Sequence, residues 1–477
     1  MKKSYTDSFF DVGSKYGFLP NNHPLTSLPN RYNSLQRLLD NMPVKLSDGS
    51  NGYLAIPNKI ENEVERLPNY IDLVKKESEI LIIQALYRAY CFLTSAYTLE
   101  LSYQEFVKTK KYGKARQILP KQVAQPFVCV AEKLDVYPWL DYHYAYSLGN
   151  YRFLDKSKGF HWSNLDQCVK FSGTSDESGF IMNHVDINQH SPKLVESVLE
   201  SLKAIKDDDQ KKLNENLKQN FHSMVFVNDR RKDMWVASRW KHYNDFRIFI
   251  MGIKGNNEIF DDGLVYQGVW DEPKQYRGQT GAQDNIIPME DIFSGVINFY
   301  PDNQLTKYLL DLRKYRPKCI QNFFVDLKQD IDSIHGGSIF NFLKSSQNSV
   351  GMCYLLAIVE EIYKFRNGHW QFVQKYIMSN TKYAKATGGT PIISWIPNQI
   401  KSVLNFIEVI LHELQSMDKD FDNKQNEFFI NSLNTYKSKK KLLDKQLIVV
   451  SDANYNPGKV FELNKKFKLE DSNFEKK

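Results

Sequence analysis

Residues 350–377, VGMCYLLAIVEEIYKFRNGHWQFVQKYI, form the stretch around which the rest of the chain is organised. Apolar or aromatic residues recur at Val350, Tyr354, Ile358, Ile362, Phe365, Phe372 and Tyr376. That i, i+3, i+4 spacing predicts one buried face of a long helix. His369 falls in the row, and Arg366 stands one turn earlier on the same side. An imidazole on an apolar stripe with a cation beside it suits a helix that holds a planar, anionic, iron-bearing ring from one side. A histidine on an apolar face is more often a hydrogen-bonded core residue, so the remaining sequence must separate the two readings.

Composition narrows the field. A chain of 477 residues, 42% hydrophobic and 25% charged, is long enough for two or three domains with substantial cores. The 30 Phe and 27 Tyr promise aromatic-rich cores or pockets. A net charge of +7 from 63 basic and 56 acidic residues is too small an excess to imply nucleic acid. Five dispersed cysteines without a CxxC pair argue against a disulfide framework or thiolate metal site and for a reducing, cytoplasmic compartment. No apolar run near the start is long enough for a signal peptide, and the most apolar helix, 80–99, is interrupted by Gln84 and Arg88. It reads as a core helix, with no membrane span expected.

Read in order, the chain predicts a mainly α fold. Loops around a short helix at 34–41 lead to helices at 69–76 and 77–99 and a Pro-bracketed helix at 127–134. An aromatic-rich helix end follows at 142–151, and a polar stretch at 155–163 suggests a boundary. Beyond it come helices at 178–190 and 192–206, a charged helix, and an amphipathic helix at 235–251. Residues 252–283 form a long loop rich in Gly, Asp and aromatics, the kind of loop that is usually functional. Helices resume at 289, pass through 305–315 and 317–332 to the His369 stretch, and return at 399–417. The expected organisation is a smaller, mostly helical domain at 1–160 capping the active site, a large all-helical domain at 161–417, and a charged extension at 418–477. That extension carries a basic run, Lys437 to Lys441, read as a solvated tail, and one strand-like fragment, LIVVSD at 447–452.

Besides His369, four features carry chemical potential. Arg247 in HYNDFRIF lies on one helix face with Tyr243, after His242; a guanidinium beside aromatic walls clamps a carboxylate, although an ordinary helix ion pair uses the same residues. His184 in SGFIMNHVDI lies one turn after Phe180, on a second helix able to face His369 across a flat cofactor, or is simply a bonded core imidazole. The loop RGQTGAQD, 277–284, has small residues that let backbone approach a ligand, and the ATGGT run at 386–390 offers a hinge and the Thr387 hydroxyl. There is no HExxH, Walker or GxSxG motif, and Glu360 and Glu361 diverge around the helix. A chain lacking its own acid, base and nucleophile set points to a cofactor that brings its own reactivity.

These segments together resemble the indoleamine 2,3-dioxygenases. ILPKQVAQP with LDVYP looks like the family's N-terminal domain, SGFIMNHVDI like its distal helix, and HYNDFRIFIMGIKGN like its substrate helix. DGLVYQGVWDEPKQYRGQTGAQ is similar to the long pocket loop, and LRKYRPKCIQNFF to the helix after it. FRNGHWQFVQKYI resembles the proximal helix, and ATGGT the mobile loop, so the likeness spans roughly residues 15–415. The resemblance implies haem b as cofactor, with His369 the proximal iron ligand and Arg366 the partner of a propionate. It implies Arg247 as the clamp on the substrate carboxylate, Tyr243 as an aromatic wall and Phe180 packed on the indole. Thr280 and Gly281 would line the pocket above the haem, and Thr387 would close over the substrate. The implied reaction belongs to tryptophan catabolism: O2 is inserted across the indole C2–C3 bond of L-tryptophan, or a close indole amine, to give N-formylkynurenine. The chain is expected to act as a monomer or homodimer.

Three departures stand out. His184 sits where the animal enzymes carry serine; a distal histidine is what the related tryptophan 2,3-dioxygenases use to hold the indole NH. His242 occupies a position that is usually Phe, which would make the pocket wall more polar. The loop between Ile377 and Thr387 is short, and the tail has no counterpart. Two other functions remain open on the sequence: a superfamily haem enzyme that hydroxylates or peroxygenates an aromatic amino acid derivative, and a haem- or tryptophan-binding module without turnover.

Overall fold

A computed structural model describes residues 4–302, 304–378, 387 and 392–451. Ala386, Gly388, Gly389 and Thr390 of the ATGGT run, and the chain after 451, lie outside the described residues. The fold is mainly α. Among the described residues the strands are two short pairs: Ile118–Leu119 runs parallel to Val265–Tyr266, and Tyr151–Phe153 runs antiparallel to Leu165–Gln167. The boundary expected at 155–163 lies in the connection between the strands of the second pair, and the main apolar core draws residues from Phe9 to Leu443. Near the N-terminus, Phe18 packs edge-on against Phe323 and Phe324, and the Tyr5 hydroxyl donates to Asp326 at 2.9 Å.

Helix Ile80–Thr109 is the axis of the N-terminal part. Its length and hydropathy match those of a membrane-crossing helix, but 89% of its most apolar window is buried inside the fold. A helix apolar all round needs such burial, and its polar residues need partners there. Gln84 donates to the carbonyls of Tyr144 and Gly149, and Arg88 to those of Gly149 and Leu25. The helix outruns its expected end at 99 because Glu100, fully buried, is held by Arg116 at 2.9 Å. Lys121–Lys133 likewise starts before the expected 127, with Pro126 inside it. That proline removes one bond near the helix start, which the first turns tolerate best.

Two expectations are corrected by tertiary contacts. The amphipathic helix expected at 235–251 is broken into Met234–Ala237, Trp240–His242, Asn244–Arg247 and Ile248–Ile250. The break lies at Ser238 and Arg239, both extended. There Asp176 accepts the Arg239 backbone N–H at 2.7 Å and grips its guanidinium, while the Tyr376 hydroxyl donates to the carbonyls of Met234 and Ser238. Fixed partners thus outcompete continuous helix hydrogen bonds. The strand-like fragment at 447–452 is instead helical as far as it is described, forming the end of helix Asn423–Ser451. The basic run before it is not simply solvated, because Lys439 and Lys440 pair with Glu360 and Glu408, each at 2.7 Å.

Candidate functional site

The helix built from the opening stretch runs Ser349–Phe372, capped by Asn348, and passes into a π-helical turn at Val373–Met378. At 100° per residue, Phe365, Arg366, His369 and Phe372 share an arc of about 120°, and all four line a cavity of about 260 Å³. Protein surrounds His369 on every side, yet its ring is accessible because it opens on this cavity. Burial, then the neighbouring His184 and Arg231, push its pKa down to about 4. Neither ring nitrogen makes a hydrogen bond among the described residues. His369 is therefore a neutral imidazole with an available lone pair, the form that binds a metal.

Across the cavity stands helix Ser175–Asn188, which contributes Phe180 and His184. The His184 Nδ1–H donates to the Phe180 carbonyl at 2.9 Å, which leaves Nε2 as an acceptor. A Cβ on Gly281 would lie 3.6 Å from that nitrogen, so the glycine loop roofs the imidazole closely. Burial lowers the His184 pKa, opposed by the Phe180 carbonyl and by Asp284. Asp284 is itself held by the Tyr142 hydroxyl at 2.8 Å, the Asn188 amide at 2.7 Å and the Ile286 N–H at 2.9 Å. Sequence reading missed Asp284, whose place on the wall depends on partners about a hundred residues away. It left Tyr142 without a role; the structure makes it the carboxylate's donor.

The remaining expected residues divide. Tyr243, Thr280, Gly281 and Thr387 line the cavity. Thr280 caps the turn Gly281–Gln283 through a reciprocal pair of bonds with it. The Thr387 hydroxyl donates to the Gln279 carbonyl at 2.7 Å, and its own carbonyl accepts the Gly252 N–H at 2.8 Å. Arg247 is not on the wall. It is fully buried behind Tyr243, whose hydroxyl it contacts, and its Nη1 donates to the Tyr112 hydroxyl at 3.0 Å. His242 is also off the wall: it stands partly exposed, 3.0 Å from Asp245, and does not make the pocket more polar.

At the other end Arg366 donates to Asp291 at 2.6 Å and to the Tyr300 hydroxyl at 2.8 Å. Burial opposes its charge, but Asp291 and Tyr300 outweigh burial and keep its pKa raised. Gln399, on the same wall, has a buried amide with neither atom partnered among the described residues, and Asp291 Oδ1 is likewise unpartnered. Between the two ends the walls are apolar: Ile287, Phe365, Phe372, Val373 and Ile377. A flat apolar group with an acidic edge and a metal at its centre fits these residues. His369 offers the axial nitrogen, and Arg366 with the orphaned Gln399 amide offers donors to the carboxylates. A second cluster of possible metal ligands, His161, Asp186 and Asp233, is less suited, because Arg230 already lies 3.7 Å and 3.3 Å from its two carboxylates.

Comparison with known proteins gives a consistent result. The family model described as indoleamine 2,3-dioxygenase matches residues 6–432. Indoleamine 2,3-dioxygenase 1 of Rattus norvegicus is 24% identical over 407 residues, covering 81% of this chain and 92% of the relative. Indoleamine 2,3-dioxygenase 2 of Homo sapiens is 24% identical over 430 residues, covering 84% and 95%. A 6-hydroxytryptophan 2,3-dioxygenase of Fusarium equiseti is 23% identical over 382 residues, covering 77% and 84%.

Proposed function

The chain belongs to the indoleamine 2,3-dioxygenase family of haem-dependent enzymes, and from that premise we propose that it inserts both atoms of O2 across the indole C2–C3 bond of L-tryptophan or a close indole amine. With tryptophan the product is N-formylkynurenine. The observation that carries this reading is His369: a neutral, unbonded imidazole opening on an apolar cavity that has Arg366 at one end and an acceptor imidazole, His184, on the facing wall.

In this reading His369 would hold the haem iron and Arg366 would pair with a propionate. Bound haem supplies the oxygen activation, for which the chain has no group of its own. The protein's part is binding and orientation, which can replace roughly 7 to 11 kcal/mol of entropic and solvent cost when the reacting atoms are held in place. Phe180 and Tyr243, whose rings lie 5.1 Å apart, are assigned to a single aromatic wall against the indole. His184 Nε2, an acceptor by virtue of the Nδ1 bond to Phe180, would take the indole N–H and so orient the substrate. Thr280, Gly281 and Thr387 form the roof on the amino acid side and exclude water. Arg247, buried behind Tyr243 and in contact with its hydroxyl, is assigned to the substrate carboxylate.

The test is an absorption spectrum of the purified protein, followed by anaerobic reduction, aerobic addition of L-tryptophan and mass spectrometry of the product. A Soret band and a product carrying two added oxygen atoms are expected. One added oxygen would replace this reading with hydroxylation, and a Soret band with no product would leave a binding module.

A further inference from the structure

The matched family region ends at residue 432, yet helix Asn423–Ser451 continues well past it. That continuation packs chiefly on helix Ile392–Ser416 and reaches the back of the helix that carries His369 through a few side chains. The two helices run in the same direction: Cys353 meets the Gln425 carbonyl, Glu360 meets Lys439, and Trp370 meets Gln446. Glu360, Tyr363 and Trp370 fall within an arc of about 80° on the side opposite the cavity, and each is contacted from the extension. Lys439 Nζ lies 2.7 Å from Glu360 and 5.0 Å from the centre of the Tyr363 ring. The Trp370 Nε1–H donates to Gln446 Oε1 at 3.2 Å. Leu442 and Leu443 are buried beside these polar contacts.

The placement matters because of what Trp370 adjoins. His369 sits in the last α-helical turn before the π-helical turn Val373–Met378, and the Val373 N–H is shared between the carbonyls of His369 and Trp370. Where helix type changes, the backbone ladder fixes orientation less firmly, and side-chain anchors set it instead. Trp370 is fully buried, so its indole N–H requires an acceptor, and Gln446 supplies one. Glu360 is almost fully buried, and Lys439 is its ion-pair partner.

We propose that the C-terminal extension is a built-in brace, in which Gln446 and Lys439 act as positioning residues that fix the proximal end of the His369 helix through Trp370 and Glu360. The inference rests on the reading of His369 as haem ligand.

The experiment uses the full chain loaded with haem and compares the parent with Gln446→Leu, Gln446→Glu, Trp370→Phe and Lys439→Met. Two quantities are read: the iron–histidine stretching frequency of the ferrous form, and the rate of haem transfer to excess apomyoglobin. Gln446→Leu and Trp370→Phe are each expected to shift the frequency and to speed haem loss, with the double variant no faster than either. Gln446→Glu, which keeps an oxygen acceptor, is expected to retain the parent frequency, and Lys439→Met to lose haem faster. Should Gln446→Leu fail to fold, Trp370→Phe carries the same test without removing any part of the extension. A lowered melting temperature with frequency and haem loss unchanged would overturn the brace. A parent protein that takes up no haem from added haemin would overturn the haem reading itself, before any variant is compared.

Discussion

The two imidazoles that face one another across the cavity differ in what they offer. His369 has no hydrogen-bond partner among the described residues, whereas His184 has its tautomer set by the Phe180 carbonyl. His369→Ala is expected to abolish stably bound haem, read as loss of the Soret band in protein that still folds. His184→Phe is expected to keep haem and lose the indole N–H acceptor, raising KM for tryptophan by about three- to tenfold for a bond worth roughly 0.5 to 1.5 kcal/mol; an unchanged KM would remove that role. Arg247 is a harder case. Its guanidinium lies behind Tyr243 with Tyr112 as partner, so substitution removes both that bond and the assigned carboxylate contact. Arg247→Ala should bind haem normally and bind tryptophan about 10- to 150-fold more weakly, from roughly 1.5 to 3 kcal/mol for a charge-assisted contact. Tyr112→Phe, which leaves the guanidinium in place, is the control and should stay near the parent affinity.

Between elements, the site is assembled where backbones touch. Residues Gly252, Gly278 and Thr387 belong to three separate segments that cross with almost no space between them. A Cβ on Gly252 would lie 1.9 Å from the Gly278 nitrogen, and one on Gly278 would lie 2.6 Å from the Thr387 carbonyl oxygen. Neither atom has a flexible end that moves aside, so an added methyl must push the crossing apart. Gly278→Ala is expected to lower stability by about 1 to 3 kcal/mol and, by displacing Thr387, to raise KM for tryptophan more than it changes haem binding. Thermal melting and steady-state kinetics measured together check this; a stability loss with KM unmoved would uncouple Thr387 from the substrate. The broken helix at 234–250 follows the same logic. A Cβ on Gly179 would meet the Ala237 carbonyl at 1.8 Å, so the distal helix approaches that break at backbone contact distance.

Taken as a whole, the molecule buries ionisable groups that make its stability depend on pH in opposite directions. Burial holds the Glu290 carboxyl up to about 8, so it is protonated in the fold at neutral pH while the unfolded chain releases its proton near 4.5. The folded state then binds more protons than the unfolded one between those values, so this group makes stability fall as pH rises from about 4.5 to 8. For His143 the sign reverses. Burial lowers its pKa to about 3, so the unfolded chain binds the extra proton and stability falls as pH drops from 6.5 towards 3. Glu290→Gln, which keeps a partner for Asn220, should therefore raise the urea midpoint at pH 8 relative to pH 5, by up to about 1.4 kcal/mol per pH unit in stability. A pH profile parallel to the parent's would show that Glu290 does not carry its proton into the fold.

The sequence by itself determined the helical class and several residues of the cavity wall, because both rest on local rules. Spacing of 3.6 residues placed His369, Arg366 and Phe365 on one face, and one turn separates Phe180 from His184 whatever surrounds them. It also gave the Gly-rich loop its role, since small residues are what a close backbone approach requires. Tertiary structure alone decided the rest. Asp284 and Gln399 reach the cavity through partners distant in sequence, and Arg247 is withdrawn from it by Tyr112. Local pattern predicted a continuous helix at 235–251 and a strand at 447–452. Asp176 and Tyr376 overruled the first, and helix Asn423–Ser451, whose Gln446 accepts from the Trp370 indole N–H, overruled the second. Periodicity tells which face of an element is buried but not against what, and it is the partner on that face that breaks a helix, withdraws an arginine or packs a basic tail onto the fold.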